Sequence, residues 1–176
     1  MKIYDITRPL LSTPVYLGDP KPELIDTTPE GASYTLHTLS MCLHNGTHVD
    51  APAHFRLEKT IGEIPLEHFI GSCEVREIGD LRPVTEKRVL LKGEGEISLE
   101  EARFYAEQDI LLLGVEACTV GGEDNEKAHR ALLDREIVIL ENLDLSAVPT
   151  GKYTLSALPL KLEGAEASPV RAVLFF

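Results

Sequence analysis

SLEEARFYAEQDILLLGVE (98–116) and EKAHRALLDREIVILE (126–141) carry the reading that sets the fold class. Ser98-Leu-Glu-Glu101 is a capping-box pattern: a serine hydroxyl and a glutamate carboxylate satisfy backbone N–H groups at a helix start, so a helix is predicted to run to about Glu107. Ile110–Val115 is a short apolar run of the kind that forms a buried strand. Glu126–Leu133 places Ala128, His129, Leu132 and Leu133 along the inner side of a second helix, and Ile137–Leu140 reads as another apolar strand. Strands alternating with helices imply an α/β fold.

Working outward, Ser33–Leu43 alternates as a strand does, with Leu39, Met41 and Leu43 on one face and Ser40, Cys42 and His44 on the other. His44 therefore leaves on the less apolar side. Asn45–Pro52, with Gly46 and Pro52, reads as a loop; Ile64–Ile70 holds a short helix, and Cys73–Ile78 a strand. The tail, YTLSALPLKL followed by SPVRAVLFF, adds further strand-like pieces. No linker divides the chain, so a single domain is expected across 1–176.

Composition narrows the function. With 176 residues, 43% of them hydrophobic, the chain can bury one sizeable core, and its 26% of charged residues comes without repeats or low-complexity tracts. A formal charge of -12 repels a phosphate backbone, which excludes a nucleic-acid partner. The apolar runs are too short to cross a bilayer, and MKIYDITRPLL lacks a signal-peptide layout, so a cytoplasmic protein with no membrane partner is expected. Cys42, Cys73 and Cys118 form no CxxC pair and read as small buried residues rather than a disulfide or zinc-finger set.

The chemistry is concentrated in His44-Asn-Gly-Thr-His48-Val-Asp50-Ala-Pro-Ala-His54-Phe55, three imidazoles and a carboxylate within eleven residues. Imidazole nitrogen and carboxylate oxygen suit zinc or manganese, and a catalytic site needs three protein ligands with an open position for water. Gly46 permits a tight turn and Pro52 stiffens the chain, so that neighbouring side chains can converge. A lone histidine is more often a surface or core residue, and His37 and His68 are read that way. Glu141 ends an apolar strand, where α/β proteins place ligands, yet it could equally be a helix-capping or solvent-facing acid. His129 could be a core histidine on an apolar helix face.

The motif HxGTHxDxPxHF, complete from His44 to Phe55, resembles the metal-dependent cyclase family that includes bacterial kynurenine formamidase. YDITRPL, IGEIPLEHFIG (61–71), ILENL (139–143) and ALPLKLEGAEASPVRAVL (157–174) extend the likeness along nearly the whole chain. The resemblance implies a swivelling β/β/α fold and a homo-oligomer, a dimer or tetramer. It implies that His44 and His48 bind one metal, that Asp50 and Glu141 bridge two metals, that His129 binds the second, and that His54 carries the proton. Some relatives work with one ion, so one or two zinc ions are expected, with manganese as the alternative.

Two departures concern the substrate rather than the chemistry. Formamidases of this kind carry a substrate-facing tryptophan and a following proline, where this chain has Val15-Tyr16-Leu17-Gly18-Asp19 and no Trp at all. Their Asp-Thr-Pro-Ser pattern is replaced by Glu116-Ala117-Cys118-Thr119. Tyr16 is the residue expected to meet the substrate ring. The resemblance thus implies a hydrolase of a small-molecule amide, an arylformamidase of tryptophan catabolism converting N-formylkynurenine to kynurenine and formate. The alternatives are opening of a cyclic amide such as isatin, another acyl hydrolysis, or a metal-binding relative without catalysis.

Overall fold

The computed structural model describes all 176 residues, Met1–Phe176. Its strands are β1 (Ile3–Asp5), β2 (Glu23–Asp26), β3 (His37–Ser40), β4 (His48–Asp50), β5 (Ile70–Glu77), β6 (Arg88–Lys92), β7 (Leu112–Val115), β8 (Val138–Glu141), β9 (Gly151–Ser156), β10 (Ala167–Pro169) and β11 (Val173–Phe175). Helix α1 (Leu99–Ala106) joins β6 to β7, and α2 (Asn125–Leu133) joins β7 to β8. One sheet runs β1-β11-β9-β5-β6-β7-β8-β4-β10, with β5 to β8 parallel and antiparallel pairs on both flanks; β2 and β3 form a separate ribbon.

The alternation of helix and strand is borne out. Ser98 caps α1: its hydroxyl accepts from the Glu101 N–H, and the Glu101 carboxylate accepts from the Ser98 N–H at 2.8 Å. Ala128, His129, Leu132 and Leu133 are all buried on α2, as the spacing predicts. Successive residues of β6 point to opposite faces of the sheet. Val89 and Leu91 join Leu113, Val115 and Ile139 under the two helices, while Leu90 joins Leu112, Val138, Leu140 and Val49 in a second core on the other face. Each large side chain fully buried in these cores contributes roughly 1.5–3 kcal/mol relative to exposure.

Several expectations are corrected. The strand read across Ser33–Leu43 is confined to His37–Ser40, and all four of its residues are exposed. Asn45–Pro52 is not simply a loop, because His48–Asp50 is a fully buried strand between β8 and β10. The helix expected in Ile64–Ile70 is a single 3-10 turn, Leu66–His68, and β5 begins directly after it. β6 carried no sequence reading. Of the three cysteines only Cys73 is buried, Cys42 is half-buried and Cys118 is exposed. No helix is long and apolar enough to cross a membrane.

Candidate metal centre

Register builds the site. β4 lies antiparallel to β8 with His48 opposite Glu141 and Asp50 opposite Ile139, so His48, Asp50 and Glu141 share one face of the sheet. Ile139 belongs to the core under the helices, and that face is therefore the one α2 covers. His129 descends onto it from the inner side of α2. Val49 and Leu140 point the other way and anchor the strands in the second core. Strand periodicity thus directs the polar side chains to the site and the apolar one between them to the interior.

The loop entering β4 is held from several sides. Gly46 adopts φ 65°, a left-handed conformation that costs glycine little, and a Cβ there would approach Leu10 to 3.1 Å. The buried Thr47 hydroxyl donates to the Asn142 carbonyl at 2.6 Å and accepts from the Arg8 N–H at 2.8 Å. Asn142, directly after Glu141, has φ 59°, which asparagine tolerates better than most residues. Thr47 and Asn142 therefore clamp the residue preceding His48 to the residue following Glu141.

Five side chains converge. His44 Nδ1 lies 3.0 Å from Asp50 Oδ1, and His48 Nε2 lies 3.5 Å from Asp50 and 3.4 Å from Glu141. His129 Nε2 lies 3.4 Å from Glu141 Oε1 and 3.7 Å from Asp50 Oδ2. His48 Nδ1 is 2.9 Å from the Gly46 carbonyl and His129 Nδ1 is 2.9 Å from that of Asn125. Each carbonyl holds the proton of its ring on Nδ1 and leaves Nε2 facing the carboxylates, the orientation typical of metal-binding imidazoles. His54, on the helical turn Pro52–Phe55, lies against His44 with ring centroids 4.3 Å apart and the rings tilted by 40°, and lies 5.7 Å from the His129 ring.

The residues fit a metal ion. His48 Nε2, both Asp50 oxygens and Glu141 Oε1 are buried without a hydrogen-bond partner, a costly arrangement unless a cation satisfies them. Ligand atoms of His44, His48 and Asp50 lie within 4.8 Å of one another, as do those of Asp50, His54 and His129. Asp50 is common to both groups. Glu141, only 3% exposed, is neither a helix cap nor a surface acid. His37 sits on the exposed ribbon and His68 on the 3-10 turn, and neither joins the site.

Charge is tightly coupled here. Burial opposes protonation of His48, but the Asp50 and Glu141 carboxylates outweigh it and raise its pKa to about 9. Burial likewise opposes protonation of His129 and His44, and Glu141 and Asp50 respectively overcome it. Asp50 is penalised by burial yet held below the usual carboxylate range by His48 and His44. His54 differs: burial, reinforced by His44 and His129, keeps it below its ordinary value despite Asp50.

A pH dependence follows for protein stripped of metal. The raised His48 pKa adds stability that is complete below about 6.5 and lost as pH rises through about 9. The thermal midpoint of chelator-treated protein is expected to fall across that interval. Divalent metal, which competes with those protons, should bind more tightly over the same range. Differential scanning fluorimetry with and without metal checks both trends, and a midpoint independent of pH in the stripped protein would contradict this coupling.

A pocket of about 230 Å³ opens onto the cluster, and Tyr16, 49% exposed, forms part of its wall. Asp19, Cys118, Thr119 and Asn125 also line it and were not singled out by sequence reasoning, although two of the departures noted above fall on them. Asn125 donates to the Thr119 hydroxyl, tying the loop after β7 to the start of α2. A larger crevice of about 860 Å³, lined by Arg8, Glu94 and Glu116 among others, contains no histidine and meets this pocket only at Cys118. The chemistry therefore belongs to the smaller cavity.

Comparison with known proteins agrees with this geometry. The sequence profile of the Cyclase family matches residues 4–91. The kynurenine formamidase of Salinibacter ruber is 34% identical, with 99% of this chain and 97% of that protein aligned; that of Bacillus anthracis is 32% identical over 86% and 85%. A solved structure described as a potential metal-dependent hydrolase with cyclase activity superimposes with TM-score 0.80 at 28% identity, covering 98% of each chain. Isatin hydrolase A from Labrenzia aggregata, 23% identical, shares the fold with TM-score 0.83 over 98% of this chain and 93% of its own. The α/β fold and the swivelling β/β/α arrangement implied by the motif are thereby borne out, and the chain belongs to the Cyclase family.

Proposed function

We propose that this protein is a metal-dependent amide hydrolase whose substrate is an N-formyl arylamine, N-formylkynurenine first among them. The observation that carries the reading is the convergence of His44, His48, Asp50, His129 and Glu141, with unpartnered buried donor atoms, beside His54 and below Tyr16. The five are proposed to hold one or two ions, zinc in preference to manganese, since imidazole-rich sets with carboxylates suit zinc. A divalent ion bound there supplies Lewis acidity toward the scissile carbonyl and makes water acidic enough to attack at neutral pH.

The chain's own residues do the rest. His54, kept neutral by burial, takes a proton from the attacking water and returns it to the departing arylamine nitrogen, so that the C–N bond breaks to leave formate and a free amine. Tyr16 offers an aromatic face to the aryl ring. A single domain across 1–176 is supported by β1 pairing with β11, which ties the two ends of the chain together. A cytoplasmic location is supported by three free cysteines, which suit a reducing compartment. A homo-oligomer is the expected working form.

The formamidase names borne by relatives aligned along nearly the whole chain favour the formyl substrate over a cyclic one. Ring opening of a cyclic amide is the second reading, favoured by the fold shared with isatin hydrolase. Catalytic efficiency on N-formylkynurenine, formanilide and isatin, measured with one metal-loaded preparation, separates them. N-formylkynurenine is expected to be best. If isatin wins by about a hundred-fold, near 2.7 kcal/mol of transition-state discrimination, the formamidase assignment falls and a cyclic-amide hydrolase remains.

A further inference from the structure

Tyr16 and Asp19 stand at the two ends of one turn. The Asp19 N–H donates to the Tyr16 carbonyl at 3.0 Å, and Gly18 supplies the φ of 99° that a turn of this kind needs at its third position. Leu17, at the tip, is 94% exposed, whereas both ends line the pocket above the metal cluster. Asp19 is half-buried, and its carboxylate forms no salt bridge and accepts no hydrogen bond from a nitrogen or hydroxyl of the chain. Burial first, and then the Asp19 carboxylate beside it, push the Cys42 thiol up. That carboxylate therefore lies against the segment leading into His44, on the pocket side of the turn.

The pocket wall contains no lysine or arginine. Its other charged side chains belong to the cluster: His44, His48, His129 and Glu141 are committed to the proposed ion, and His54 is held below its ordinary pKa, first of all by burial. Tyr16, Cys118, Thr119 and Asn125 complete the wall without a charge. Asp19 is thus the one carboxylate there left without a cation, and partial burial strengthens its attraction for one. The approach has the same sign. The crevice that meets the pocket at Cys118 is lined by five carboxylates against Arg8 and Lys92, and both of these cations are tied to backbone carbonyls.

We propose that Asp19 selects the substrate by charge: it pairs with an ammonium group on the side chain of the aryl ring, while the ring lies on Tyr16 and the formamide reaches the cluster. The substrate class is then an N-formyl arylamine bearing an ammonium, and a ring bearing only a carboxylate is repelled by the same residue. Because both anchors sit on one turn, ring and side chain are read together. N-formylkynurenine carries that ammonium beside a carboxylate, and with no cation in the wall to receive it the carboxylate is left to solvent. The choice of formyl substrates rests on the proposed hydrolase activity; the preference of the pocket for a cation does not.

The test uses the full metal-loaded chain and two aminophenyl ketones of equal length, one ending in an ammonium and the other in a hydroxyl. Calorimetric titration is expected to show the ammonium ketone binding about ten-fold more tightly, the advantage of one charge-assisted hydrogen bond, with the margin shrinking as salt is raised. Asp19→Asn should remove the margin and Asp19→Glu should restore part of it, with metal content and circular dichroism checked in both. Kinetics on the N-formyl derivatives of the same ketones should follow: in Asp19→Asn the ratio of their kcat/KM values falls about ten-fold, and the change lies in KM. Equal binding of the two ketones by the unaltered protein, or a margin that survives Asp19→Asn, overturns the assignment without any turnover. A margin that depends on Asp19 in a protein that hydrolyses neither derivative would uphold the cation site and remove the hydrolase reading instead.

Discussion

Asp50→Asn protein is expected to leave purification nearly free of divalent metal and to bind added metal at least a hundred-fold more weakly than the unaltered chain. Asp50 is the one residue common to both groups of converging ligand atoms, and it lies 3.0–3.7 Å from His44, His48 and His129. Asparagine preserves its shape and removes its charge. Even residues that merely orient a metal ligand typically cost about ten- to a hundred-fold in affinity when replaced, so a shared ligand should cost more. The loss is compounded electrostatically, because Asp50 is fully buried beside three imidazoles and the other buried carboxylate, Glu141, lies beside only two of them. Elemental analysis and titration against a competing chelator measure the effect, with circular dichroism checking the fold. His37→Ala, on the exposed ribbon, should retain normal metal. Near-normal occupancy in Asp50→Asn would remove Asp50 from the ligand set.

How much of this centre was legible in the sequence depends on how local each signal is. The capping box at Ser98 and the helical spacing of Ala128, His129 and Leu132 are written within one turn or two, and both were recovered. Glu141 was ambiguous because its meaning depends on what lies across the sheet from it. Only the β4–β8 register sets it opposite His48, and that pairing joins segments far apart in the chain. The same cause hid β4 itself. His48 and Asp50 look like loop residues between Gly46 and Pro52, since a buried strand ordinarily turns apolar side chains inward. Here the face toward the helices is polar, and a cation is what makes such burial tolerable.

Other misses have different physical origins. β6 is a buried strand whose first residue is Arg88; its guanidinium donates to the His68 and Ser72 carbonyls, so a charged residue is satisfied at a position where sequence pattern argues for a surface. The alternation across Ser33–Leu43 is real in period but not in burial: Leu39 is exposed on the ribbon, while Met41 and Leu43, beyond its end, are only half-buried. Periodicity reports that one face is apolar and says nothing about which chain covers it. Cys118 fell outside expectation for a related reason: it lies on the loop after β7, where it is exposed and lines the pocket instead of packing in the core.

His54→Ala separates chemistry from metal binding, and it is expected to lower turnover by about a hundred- to ten-thousand-fold with metal content preserved. The structure gives the reason that the two can be separated. His44, His48, Asp50, His129 and Glu141 converge without His54, whose ring lies tilted against His44 from the turn after β4 and lines the pocket. Removing the imidazole therefore leaves the proposed ligands and their carbonyl partners intact. Catalysis requires the neutral form, because His54 must accept a proton before it can donate one. Burial, with His44 and His129 nearby, holds its pKa below 6.5, and a bound cation pushes in the same direction. The acid limb of kcat/KM should accordingly fall below pH 6.5 in the unaltered protein, and it should vanish in His54→Ala along with most of the rate. A small amine or imidazole added to the variant is expected to restore part of the turnover by occupying the vacated space. Near-normal kcat in a metal-loaded His54→Ala protein, or an acid limb that survives the substitution, would assign the proton transfer to another group. Metal lost in proportion to activity would instead place His54 among the ligands, as its proximity to Asp50 and His129 permits.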